Sequence, residues 1–159
     1  MVYIISQQTK AILAKDASYY RSLILEVSRR RHSVYHPERI IDNTCVLNGA
    51  TLEGRRGSVK RLLNVCSKVP VPVIQEQGVY MLPTASSKKK DNVWLSFYHI
   101  DYYEQRDDRT YVSFHDGTGL YVNTSRQTFD MQYKRTGELI AKLSRPFFFG
   151  GNTFPWNHL

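Results

Sequence analysis

The stretch "NGATLEGRRGSVKRLLN", Asn48 to Asn64, decides how this chain is read. Leu52, Val59, Leu62, Leu63 and, just beyond, Cys66 form a helical apolar stripe, with Thr51 or Asn48 placed to cap its start. Arg55, Arg56 and Lys60 fall largely off that stripe, so the helix presents a basic face. Gly54 and Gly57 interrupt it, each at a cost of roughly 1 kcal/mol relative to alanine in a helix interior. The pattern predicts a loop or frayed turn around Gly54 and a firmer helix from about Gly57. Glycines on either side of two arginines let a backbone approach a phosphate, or enter a narrow groove, where a larger residue would collide.

Composition limits what such a segment serves. The chain has 159 residues, enough for one domain with a sizeable core, and its 42% hydrophobic content excludes a disordered chain. A formal net charge of +8 favours polyanionic partners, nucleic acid or an anionic membrane surface. Cys45 and Cys66 match no zinc spacing and read as two buried thiols. No signal peptide opens the chain, and no apolar run approaches the ~18 residues of a spanning helix. A soluble, cytoplasmic protein is expected, without metal or cofactor.

Outward from the central helix the pattern is mostly extended. "VYIIS" and "TKAILAK" flank Gln7-Gln8 as a hairpin, and "SLILEVSRRRHSVYHPERIID" reads as one or two further strands. A short helix over Tyr19 to Arg29 fits the periodicity of the same region. Pro70 and Pro72 place "VPVPVI" at a sheet edge. "VYML" is a short strand ended by Pro83, "ASSKKKDN" a polar loop, and "VWLSFYHIDYYEQ" one strong strand. Aromatics on both parities of that strand predict burial on both faces. Asp116-Gly117 marks the clearest hairpin, between "TYVSF" and "GLYV". "SRQTFDMQYKRTGELIAKL" is a second helix, capped by Ser125 and stopped by Pro146. The reading is a single α+β domain, a mainly antiparallel sheet with two helices over residues 1–145, followed by an aromatic tail over 146–159.

Catalysis finds little footing. His99 and Asp101 share a strand face, His115 and Asp116 fall in a turn, and Pro37 argues against a helical His32/His36 pair. No nucleophile elbow, phosphate loop or paired-carboxylate signature is present, so the protein is expected not to be an enzyme. The basic residues are different: Arg29 to Arg31, Arg55 with Arg56, Lys60 and Arg61, Lys88 to Lys90, and Lys134 with Arg135 make five clusters. Those from Arg55 onward are the expected DNA-binding residues: Arg55, Arg56, Lys60, Arg61, Lys88, Lys89, Lys90, Lys134 and Arg135. An RNA-binding module stacking bases on the Trp94 to Tyr103 aromatics, or an adaptor for an acidic partner, would use the same charge.

"DNTCVLNGATLEGRRGSVKRLL", "SKVPVPVI", "VYMLPTASS", "VWLSFYHI" and "SRQTFDMQYKRTGEL" occur in the order and spacing of the ComK-type competence transcription factors of Gram-positive bacteria. The resemblance covers about Tyr3 to Leu143. It implies a transcription activator of DNA-uptake genes that binds paired AT-rich boxes of double-stranded DNA through the minor groove. It also implies a homo-oligomer, a dimer or tetramer, restrained by adaptor-mediated proteolysis. A longer charged segment generally follows the second helix in that family; here an aromatic segment stands after Pro146, as in a C-terminally shortened member.

Overall fold

The computed structural model describes residues 1–86 and 89–149, with side chains described as far as Arg145. Nine strands and three helices are found there. In chain order they are β1 (Thr9–Ala14), β2 (Ser22–Glu26), β3 (Arg29–Ser33), α1 (Pro37–Leu47), α2 (Leu52–Leu63) and β4 (Val71–Ile74). Then come β5 (Val79–Pro83), β6 (Val93–Ser96), β7 (Ile100–Arg106), β8 (Arg109–Phe114), β9 (Gly119–Val122) and α3 (Arg126–Phe149). Six strands make one antiparallel sheet in the order β3-β2-β1-β6-β5-β4, and β7-β8-β9 make a second. The expected single sheet with two helices is therefore corrected to two antiparallel sheets with three helices, an α+β domain overall.

The central sheet is buried on both sides except at its exposed edge strand β3. Ile12, Ile24, Met81 and Trp94 face α1 and α2, where they meet Ile40, Ile41, Cys45 and Leu52. Ala11, Leu82, Val93 and Leu95 point the other way, against Val112, Phe114 and Val122 of the small sheet and Phe129 of α3. A third cluster, Val59, Leu63, Tyr80 and Leu139, forms where α2, β5 and α3 converge. Pro72 lies on β4, at the sheet's edge, where a missing amide is tolerated.

Four local readings change. Helix α1 stands where strand was read: Pro37 occupies its first turn, where a proline's missing N–H is no loss, and Ile40, Ile41, Thr44 and Cys45 are its buried stripe. Residues 2–5 are not a strand; the Ile5 amide donates to the Thr44 hydroxyl of α1 (3.0 Å), which draws the segment onto the helix. The strand read over "VWLSFYHIDYYEQ" breaks at a 3-10 turn, Phe97–His99, where the chain passes from one sheet to the other. There Phe97 stacks on Tyr133 of α3, with ring centroids 4.6 Å apart. The Ser125 hydroxyl does accept from the Thr128 amide (3.2 Å) at the start of α3. The helix does not stop at Pro146, however, but runs on to Phe149. The Gly150-Gly151 pair and the rest of the aromatic tail lie outside the described residues.

A polar contact joins the two sheets behind their apolar one. A bulge between Thr9 and Ala11 re-aims Lys10 toward the β8–β9 hairpin. Its ammonium donates to Asp116 (2.6 Å) and Thr118 (2.7 Å) and lies 5.3 Å from the Phe114 ring centroid. Burial opposes the Asp116 carboxylate, but hydrogen bonds from Lys10 and Thr118 outweigh it and hold its pKa down to about 2. A depressed carboxylate stabilises the fold above its ordinary pKa, and that contribution disappears as pH falls toward 2. Lys10→Met should lower unfolding free energy at neutral pH by about 1–3 kcal/mol. Urea titrations between pH 4 and 2 should also show a shallower loss of stability in the variant than in the wild type.

Candidate nucleic-acid interface

Helix α2 is regular from Leu52, without the frayed turn expected at Gly54. The Thr51 hydroxyl caps it by accepting from the Gly54 amide (2.9 Å), and Asp42 of α1 accepts from the Leu52 amide (2.9 Å). The two glycines differ. A Cβ at Gly54 would sit 3.1 Å from the Thr51 hydroxyl, tight against the cap, whereas one at Gly57 would meet nothing within 4 Å. Gly57 is exposed, so the bare backbone on the outer face of α2 is at that position.

The arginines between them are held. Arg55 donates to the Asn48 carbonyl (3.0 Å), and its Nε is buried without a partner among the described residues. It also lies against Cys45, whose thiol is pushed up to about 11, mainly by burial and in spite of Arg55. Arg56 is 15% exposed; it bonds Glu38 of α1 and Glu53 (2.7 Å) and lies 5.7 Å from the Trp94 ring centroid. Lys60 and Arg61 are exposed on the following turn.

Two clefts meet at Trp94. The first, about 260 Å³, is lined by Arg56, Lys60, Lys68, Ser67, Ser86 and Pro83. The second, about 500 Å³, carries Lys15, Arg21, His36, Lys89 and Lys90. The loop bearing Lys89 and Lys90 is pinned by Asn92, which accepts from the Thr84 and Ala85 amides at 3.1 and 3.0 Å. Lys88 lies outside the described residues. Cys66, read as buried, is exposed at the first cleft because the chain turns outward after Asn64, whose φ is +54°.

Lys134 and Arg135 take other places. Lys134 pairs with Asp130 on α3 (2.8 Å). Arg135 donates to the Ser67 carbonyl (3.0 Å), while Gln132, almost fully buried, donates to the carbonyls of Lys68 (2.9 Å) and Pro83 (3.0 Å). These bonds hold the Lys68 loop, at φ +51°, against α3 and so set one wall of the first cleft. Of the expected DNA-binding residues, Arg56 and Lys60 line the first cleft and Lys89 and Lys90 the second; Lys15, Arg21 and Lys68, which line them too, were not among those expected. Lys68 was visible only as a residue shared with the resembled family; nothing local announces its left-handed backbone.

The four described histidines are taken up in structural contacts. His32 packs on Tyr20, His36 precedes α1 beside Arg21, His99 bonds the Gln7 carbonyl, and His115 lies 3.5 Å from Asp101. No group of three His, Cys, Asp or Glu side chains suited to a metal occurs among the described residues. No described helix is long and apolar enough to cross a membrane.

Fold and site define an α+β domain with adjoining basic clefts. The family model described as "ComK protein" matches residues 1–146, and the chain belongs to that family. The chain is also similar to the competence transcription factor of Bacillus subtilis (strain 168), at 27% identity over 132 residues. That match covers 82% of this chain and 62% of the relative, so the chain spans less than two thirds of that protein's length. No solved structure matches.

Arg56 joins α1, α2 and β6, so Arg56→Ala should cost about 2 kcal/mol of stability by leaving Glu38 and the Trp94 ring without their partner. Urea unfolding at pH 7 measures it. A change within experimental error would mean that the contacts of Arg56 contribute nothing to the fold.

Proposed function

We propose that this protein is a competence transcription factor, an activator of DNA-uptake genes that binds AT-rich duplex DNA through the minor groove. The observation that carries the reading is the convergence of Lys60, Lys68, Lys89 and Lys90 on two clefts that share Trp94, in a chain of this family. An A-tract's narrow minor groove concentrates negative potential, and its base edges separate little beyond A·T from G·C. A few cations and a close-fitting backbone therefore suffice. The exposed backbone at Gly57, followed by Lys60 and Arg61, supplies that fit, and the Lys88–Lys90 loop adds phosphate contacts. Arg55, Arg56 and Arg135 hold the scaffold from which these cations project, while Lys134 is an exposed cation of α3. Binding as dimers or tetramers to paired boxes, and control by an adaptor and protease in the cytoplasm, are proposed from the family alone.

Gly57→Ala separates groove entry from fold. The new methyl should raise helix stability by up to about 1 kcal/mol, yet weaken binding to AT-rich duplex because it stands between backbone and groove. Lys60→Ala with Arg61→Ala should reduce affinity for AT-rich more than for GC-rich duplex. Lys89→Ala with Lys90→Ala should reduce both alike and flatten the salt dependence by about two counterions. Fluorescence anisotropy with AT-rich duplex, GC-rich duplex and single-stranded RNA competitors reads all three. Equal affinity for both duplexes sinks the minor-groove reading, and a preference for the single strand replaces it with RNA binding.

A further inference from the structure

Among the described residues nothing covers one face of the small sheet. Tyr102, Glu104, Arg106, Arg109, Tyr111 and Tyr121 alternate with the residues that enter the core, and Glu104, Tyr111 and Tyr121 sit side by side across the three strands. Tyr102 and Tyr121 are 49% and 42% exposed. Tyr111 lies flat across Gly119, where a Cβ would fall 2.3 Å from its hydroxyl, so only glycine fits beneath the ring. Arg106 stacks on Tyr111 at 4.2 Å, bonds Glu104 and donates to the Tyr121 hydroxyl (3.3 Å), and Arg109 stacks on Tyr121 at 4.4 Å. These are the residue types that dominate protein–protein contacts, and their rotamers are fixed before a partner arrives.

Charge decides the partner. On and beside this face Glu104, Asp107 and Asp108 stand against Arg106 and Arg109, a net charge of −1 in a chain of +8, and Asp116 is paired with Lys10. Such a face gives a phosphate backbone no net attraction. Among the described residues Arg109, Asp107 and Asp108 have no salt bridge. They stand together at the β7–β8 turn, so the face carries unpaired charge of both signs and complements itself under a two-fold axis. We infer that this face is where two copies of the chain pair, with Arg109 of each against Asp107 and Asp108 of the other and the tyrosines packed between. The inference rests on the reading above in one respect: DNA occupies the basic clefts on the α1–α2 side and leaves this face free.

Charge reversal tests it. Arg109→Glu places like charges across the axis. Asp107→Asn with Asp108→Lys does the same from the other side, and asparagine suits the left-handed backbone at 107 (φ +57°). Sedimentation velocity without DNA should show a wild-type dimer and at least about a tenfold weaker dimer for each variant alone. An equimolar mixture of the two should associate again, since every cross-axis pair is then opposite in sign; this also excludes misfolding as the cause. Each variant should still bind a duplex carrying one AT-rich box as the wild type does, a readout that depends on the clefts and not on this face. A monomeric wild type, dimers that survive both reversals, or a mixture that stays monomeric overturns the assignment. So does loss of single-box binding with dimerisation intact, which would make the face a DNA contact.

Discussion

Strand β6 has to satisfy two cores at once, and the rest of the molecule is arranged around that requirement. Its four residues pair with β1 on one side and β5 on the other, and all four are buried. Trp94 fills the layer under α1 and α2, while Val93 and Leu95 fill the layer under the small sheet. A strand in that position cannot show hydrophobic alternation, since neither face meets water. Nor can it simply continue, because the next residues belong to a different sheet. The 3-10 turn at Phe97–His99 makes the change of direction, and the stacking of Phe97 on Tyr133 fixes α3 against the point of crossing.

That arrangement explains which parts of the fold were legible. Asp116-Gly117 was read as a hairpin because the turn needs a left-handed residue, and Gly117 has φ +87°. The prolines of "VPVPVI" marked an edge because a missing amide matters most inside a sheet. Burial on both faces, read from the aromatics over all of "VWLSFYHIDYYEQ", holds for "VWLS" and fails for β7, which is exposed on one face. The break after Ser96 was not legible, since no glycine, proline or polar cluster punctuates it; the contacts at the turn come from residues distant in sequence, among them Tyr133, His115 and Tyr80. Helix α1 was lost for a different reason. Pro37 reads as a breaker in the middle of a helix and as a starter in its first turn, and the Ile40, Ile41, Thr44, Cys45 spacing that selects the second reading begins three residues later.

The candidate site was legible as charge and illegible as geometry. Sequence marks Arg55 and Arg56 as the most conspicuous cations of the chain, yet both are partly buried and committed to neighbours. Glu38, which holds Arg56, lies on a helix that the sequence reading did not contain, so the pairing had no visible cause. Lys68 is brought to the first cleft by Gln132, 64 positions away, through bonds to two backbone carbonyls. Such a contact leaves no local periodicity.

The division between the two kinds of cation follows from their chemistry. A guanidinium is planar, with five donors in a fixed fork, and can satisfy two carboxylates or a carbonyl and a ring while partly buried. Arg56 and Arg135 are used in this way, and each joins elements that are distant in sequence. A lysine ammonium is a strongly hydrated point charge on a flexible stem; buried, as at Lys10, it joins two sheets, but exposed it is well suited to meeting phosphates in several positions. Lys60, Lys68, Lys89 and Lys90 line the two clefts accordingly. A rim of lysines neutralises a nucleic-acid backbone without reading its sequence. Any preference for A·T pairs must then arise where the protein follows the width of the groove, and on α2 the place with an exposed, unobstructed backbone is Gly57, one turn from Lys60 and Arg61.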